Sequence, residues 1–170
     1  AYNIEITQVP TSLEIILDKE VEPGAKAKIK AILHDQTGKN VEAPVKITIK
    51  DDKKRIIAQT EKATDEFLEI PINYNQKSST WEVNMEFNEL TAESTFFIKE
   101  KADVNISLVN NTLMIANVGN IPYTKPVSIK IGEKMVFVDT NLKVDESKKY
   151  LLTAPDGDYK ISVLENGEDE

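Results

Sequence analysis

Apolar and polar residues alternate along most of this chain with a period of two. Ala25, Ala27, Ile29, Ala31 and Leu33 are separated by Lys26, Lys28, Lys30 and one further residue. Val45, Ile47 and Ile49 alternate with Lys46, Thr48 and Lys50, and Trp81, Val83, Met85 and Phe87 with Glu82, Asn84 and Glu86. Such runs predict strands with one buried and one wet face. Ile4, Ile6 and Val9 predict an opening strand, and Leu13, Ile15 and Leu17 the next. Ile56 to Thr60, Phe67 to Ile72 and Ala92 to Ile98 complete a first series. A second series follows: Val104, Ile106 and Leu108; Leu113 and Ile115; Val127, Ile129 and Ile131; Met135 to Val138; Tyr150 to Leu152; and Tyr159, Ile161 and Val163.

The breaks between runs carry turn chemistry. Glu22-Pro23-Gly24 presets φ at Pro and allows a positive φ at Gly. Asp35 to Asn40 reads as a loop, and Asp51 to Lys54, Asn110-Asn111, Gly132-Glu133 and Asp156-Gly157 as tight turns. Helical periodicity is nearly absent; Thr64 to Leu68 is the best helical stretch and is too short to matter. Short strands at close spacing predict an all-β class, with two antiparallel β-sandwich domains in tandem over residues 1–101 and 102–170. The junction from Ile98 to Asp103 has no Gly, Pro or Ser run, which predicts a short, stiff connection.

Composition narrows the chemistry. Of the 170 residues 40% are hydrophobic, enough for one ordinary core or two small ones, and the 29% charged residues suit a folded protein. Net charge is −8. Residues 1–101 hold 14 basic and 18 acidic residues and 102–170 hold 7 and 11, so each part carries −4. Neither is basic, so no nucleic-acid partner is expected. The absence of cysteine excludes disulfides, thiolate nucleophiles and cysteine metal sites, and a single histidine, His34, leaves little for a metal centre or triad. No run approaches the ~18 apolar residues of a membrane helix. Ala1-Tyr2-Asn3-Ile4 reads as strand rather than signal peptide. The stretch suits a trimmed mature protein or an excised ectodomain, with any membrane anchor outside it. Glu165 to Glu170 reads as a solvated acidic end.

Val21-Glu22-Pro23-Gly24-Ala25-Lys26-Ala27-Lys28-Ile29, then Leu33-His34-Asp35-Gln36-Thr37-Gly38-Lys39-Asn40-Val41 and Val45 to Asp51, resemble a macroglobulin-type or bacterial Ig-like domain over most of residues 10–99. Ser79-Thr80-Trp81 stands where that family often has Gly-x-Tyr. The thioester Cys-Gly-Glu-Gln site of such proteins has no counterpart here. Leu113-Met114-Ile115-Ala116-Asn117-Val118-Gly119-Asn120 and Ala154 to Tyr159 resemble short Ig-like repeats of prokaryotic, particularly archaeal, surface proteins. These resemblances imply two Ig-like folds and a place outside the membrane, between a signal peptide and an anchor.

Candidate sites are few. Asn105-Ile106-Ser107 and Asn110-Asn111-Thr112 fit the N-glycosylation pattern, making Asn105 and Asn110 candidate acceptors, although polar strand and turn residues give the same triplets. Asp51, Asp52, Asp139, Asp145, Asp156 and Asp158 could offer oxygens to calcium, but turn chemistry accounts for Asp156, and no metal is expected. Trp81, with Tyr74 or Tyr123, could stack a sugar, yet alternation puts Trp81 in the core. Glu20 with Glu22, and Glu66 with Glu69, read as solvated pairs rather than acid–base catalysts. No catalytic residue and no cofactor is expected.

The reading is a non-catalytic extracellular structural spacer or protein-interaction module of a cell-surface or envelope protein, with a protein partner or self-association. The alternative is a carbohydrate- or peptide-binding accessory domain of a larger secreted enzyme.

Overall fold

The computed structural model describes residues 2–153 and 161–164, the last four by backbone alone. Among the described residues there is no helix. The chain divides into two compact units, Ala1–Asn73 with Ser78–Lys99, and Tyr74–Lys77 with Glu100–Glu170.

In the first unit a sheet of three strands, β1 (Pro10–Leu17), β3 (Lys26–Asp35) and β6 (Phe67–Pro71), has the order β1-β3-β6. A second sheet contains β2 (Glu20–Val21), β4 (Pro44–Lys50), β5 (Ile56–Ala63), β7 (Ser79–Phe87) and β8 (Leu90–Ile98), in the order β2-β8-β7-β4-β5. All pairings are antiparallel except β2 with β8. Asp18 and Lys19 carry the chain from the first sheet to the second. Alternation explains the packing. Ala27, Ile29 and Ala31 of β3 meet Val45, Ile47 and Ile49 of β4, Trp81, Val83 and Met85 of β7, and Phe96 and Ile98 of β8 in one buried cluster. The Trp81 and Phe96 rings lie 5.8 Å apart at 55°, a tilted pair that adds to area burial.

The predicted turns form as their chemistry requires. Gly24 takes φ 85, and the Ala25 amide donates to the Glu22 carbonyl at 3.1 Å, a type II turn with Pro at its second position. Asp51 accepts from the amides of Lys53 and Arg55, each at 2.9 Å. One expectation changes. Ile4, Ile6 and Val9 lie in no strand and are exposed. Alternation licenses a strand only where a partner edge is present, and Pro10 opens β1 instead. Thr64 to Glu66 form a turn with Asp65 at φ 61, and Phe67 and Leu68 begin β6.

The second unit repeats the principle with less material. One sheet has the order β13-β10-β9, from β9 (Val104–Val109), β10 (Thr112–Asn117) and β13 (Ser147–Leu151). The other has the order β12-β11-β14, from β11 (Val127–Ile131), β12 (Lys134–Val138) and β14 (Ile161–Leu164). Leu113 and Ile115 face Val127, Ile129, Tyr123 and Leu142 in a second buried cluster. Asn110 and Asn111, at φ 46 and 60, make the two-residue turn from β9 to β10, as both central residues of a type I′ turn require. Gly132, at φ 61, and Glu133 connect β11 to β12. The Asp156-Gly157 turn, Tyr159 and the acidic end lie outside the described residues.

Candidate interaction surfaces

The buried polar side chains hold loops in place. Asp35 is 4% exposed, and its carboxylate accepts from the Thr37 amide (2.8 Å), the Thr37 hydroxyl (2.7 Å), the Lys39 amide (3.0 Å) and the Gln8 side chain (3.2 Å). The Thr37 hydroxyl is the largest cause of an acidity increase that places Asp35 below its ordinary range, against the opposing effect of desolvation. For Asp51 desolvation acts upward. The amide and guanidinium of Arg55 with the Lys53 amide outweigh it, so this carboxyl also sits low. Thr64 donates to the Val41 carbonyl at 2.8 Å and accepts from the Ala43 amide at 3.1 Å.

In the second unit the run 117–120 forms a polar knot. Asn117 is buried; its amide donates to the carbonyls of Ile121 (2.8 Å) and Leu142 (3.2 Å), and its oxygen accepts from the Gly119 amide (2.9 Å). Asn120 accepts from the Lys101 amide at 2.6 Å, returns its own amide to the Lys101 carbonyl at 3.0 Å, and donates to the Gln76 carbonyl at 2.9 Å. A Cβ on Gly119 would overlap the Lys101 carbonyl oxygen and come within 2.8 Å of the Asp103 amide nitrogen. Sequence reading noted this run as part of a resemblance but not as a knot, because its partners are distant in the chain. Asp145 accepts from the Tyr74 hydroxyl (2.5 Å) and the Asn75 amide (2.8 Å).

The other residues raised by the sequence are dispersed. Trp81 and Tyr123 are buried and Tyr74 is about half exposed, so the three do not form one stacking face. His34 is the penultimate residue of β3 and pairs with Glu14 at 3.1 Å. Glu22 pairs with Lys99, Glu66 with Lys62 and Glu69 with Lys26, so each glutamate faces a lysine. Asp51 and Asp145 have the partners just given. Among the described residues no group of three or more His, Cys, Asp or Glu is placed to hold a metal ion. Asn105 is exposed on β9, and Asn110 is exposed at its hairpin tip.

The broad outer face of the first unit is polar. Lys46, Thr48 and Lys50 of β4 stand beside Glu86, Asn84 and Glu82 of β7, with Lys46 paired to Glu86 at 3.5 Å and Gln59 donating to Thr48 at 3.1 Å. The edges differ more. β1 and β6 carry Pro10 with Glu14 and Pro71 with Glu69. β5 follows an irregularity at Ile49/Lys50 and carries Glu61 and Lys62. β13 carries Lys148 and Lys149, and β9 turns Asn105 and Ser107 outward. Prolines, charges and bulges are the devices that discourage strand addition. Lys26, Lys28 and Lys30 guard no edge, because β3 is the central strand of its sheet. Strand β12 has none of these devices after its first residue. Met135 and Phe137 are 41% and 69% exposed, while Val136 and Val138 are half-buried opposite Ile129 and Val127.

No family model and no curated protein matches the chain. Among solved structures it is similar to two of Salmonella alpha-2-macroglobulin, the mutant Y1175G and the form reacted with methylamine. Each gives a TM-score of 0.45 at 12% identity, over 93% and 96% of this chain respectively. The chain spans 14% of the length of either. The fold itself is plain from the strand pairing: among the described residues an all-β fold of two sandwiches, antiparallel but for β2 with β8.

Proposed function

We propose that the chain is a non-catalytic structural and protein-interaction module of a protein displayed outside the cell membrane. The observation that supports this is the role of its buried polar groups. Asp35, Asp51, Thr64, Asn117 and Asn120 hold turns and loops, so the chemistry of the chain maintains shape and leaves strand edges and faces as what it presents. Asn110 is the better-placed of the two candidate glycan acceptors, because it stands at an exposed turn whereas Asn105 lies within a ladder.

The test uses intact cells of the source organism and a membrane-impermeant amine reagent. Lys26 and Lys28 are exposed and should be modified on intact cells as fully as in a lysate. Modification only after lysis would remove the extracellular placement. Mass spectrometry of the same peptides reads any glycan on Asn110.

A further inference from the structure

We propose that strand β12 is a self-association edge, pairing antiparallel with β12 of a second copy of this chain about a twofold axis centred on Val136. The proposal rests on the interaction-module reading and names its partner. An edge strand offers one row of unpaired backbone donors and acceptors, so the natural occupant is another strand. Two features of β12 select a second copy.

The first is apolar character on both faces. Met135 and Phe137 project on one side, beside Lys130 and Ser128, while Val136 and Val138 continue the core side. A strand added here would therefore need apolar residues at successive positions, and β12 itself has them. The second is register. Centred on Val136, antiparallel self-pairing sets Met135 opposite the second copy's Phe137, twice by symmetry. It also sets Lys134 opposite the second copy's Val138. No two like charges meet, which is the requirement for a stable cross-strand pair. One patch serves both partners, as an isologous dimer demands. The joined sheet would run β14-β11-β12 into its symmetry mate, and two free edges would disappear.

Two five-residue strands bury less than the roughly 1,200 Å² of an ordinary specific interface, so the dimer should be weak, with Kd on the order of 100 μM. Each chain carries −8. Raising ionic strength from about 0.01 to 0.15 M shortens the screening length from roughly 30 to 8 Å and should raise the dimer fraction.

Sedimentation velocity on the full chain, from micromolar to millimolar, is the first measurement. The wild type should dimerise, and Phe137→Lys should weaken association at least about tenfold while leaving the near-ultraviolet circular dichroism unchanged. Register is tested by oxidation, since the chain has no cysteine of its own. A mixture of Met135→Cys and Phe137→Cys chains should form a covalent dimer, and either variant alone should form little. A monomer at all concentrations would overturn the proposal, and so would a dimer whose cysteine variants link equally well alone and mixed. Both results would leave the surface-labelling test untouched, so failure of the partner and failure of the module reading remain distinguishable.

Discussion

The first unit closes its sandwich with large apolar side chains. Trp81, Phe96 and Met85 pack with Ile29 and Ile47 in one buried cluster, and the buried acids Asp35 and Asp51 brace the turns that follow them. The second unit packs Leu113, Ile115 and Ile129 but places Asn117, Asn120 and Thr140 among its buried residues. Packing specifies the first and hydrogen bonding specifies much of the second. A packed core tolerates small adjustments at graded cost, whereas a buried polar knot fails once a partner is removed. The same contrast reaches the surface, where the first unit's long edges carry proline, charge or a bulge and β12 in the second carries only Lys134, at its start.

The sharpest break of this comparison is a cavity in the first unit. Phe96→Ala should cost about 4 kcal/mol, lowering the thermal midpoint seen by Trp81 fluorescence by at least ~15 °C. The chain's single tryptophan lies in the first core, so that signal reports the first unit. Methyl resonances of Leu113 and Ile115 report the second and should hold their midpoint. A common shift in both signals would dissolve the distinction between two separately packed cores.

Gly119→Ala inverts the experiment. Its Cβ has no room beside Lys101 and Asp103, and the obstacle is backbone rather than a flexible side chain. About 3 kcal/mol should be lost, visible in the methyl signals while Trp81 fluorescence keeps its midpoint. Asn117→Leu keeps the volume but takes the side-chain partner away from the Gly119 amide and the Ile121 carbonyl. About 2 kcal/mol is expected, read as a lower urea midpoint of the same methyl groups. If the leucine variant were as stable as the wild type, the second unit would be specified by packing after all.

Much of this contrast was legible in the sequence, and the illegible part has one cause. The faces of β3, β4 and β7 follow from alternation, and Pro23-Gly24 and Asn110-Asn111 declare their turns, because these signals are local. Which strand lies at an edge is not local. Lys26, Lys28 and Lys30 look like edge guards until β1 and β6 flank them. Met135 to Val138, an unbroken apolar run, looks like a strand buried on both faces, yet its outer residues face solvent. The run Ile4–Val9 begins with the alternation of a strand, but no partner strand lies beside it. Asn117 reads as strand and Val118 to Pro122 as an ordinary loop, because Lys101 and Gln76, which complete the knot, are far away in the chain.

The smallest expected effect concerns the contact of Tyr74 with Asp145. The hydrogen bond from Tyr74 is the largest cause that holds Asp145 below its ordinary range, with Asn75 adding to it. The same bond, with the charge of Asp145, raises Tyr74 above its own range. The signs fix a window. A lowered carboxyl contributes stability above its unfolded value, near pH 4, and that contribution is lost as pH falls through the folded value. A raised phenol contributes below its unfolded value, near pH 10, and that is lost as pH rises through the folded value. Tyr74→Phe removes both contributions at once. The difference in urea midpoint between wild type and variant, followed on the Leu113 and Ile115 methyl groups, should therefore be largest from about pH 5 to 9 and shrink at both ends. It should be small throughout, because Tyr74 is 49% exposed and water competes for the contact. A difference that stays constant from about pH 2 to 12, through both ends of that window, would mean that the two side chains do not titrate as partners, and the second unit would lose one of its polar ties.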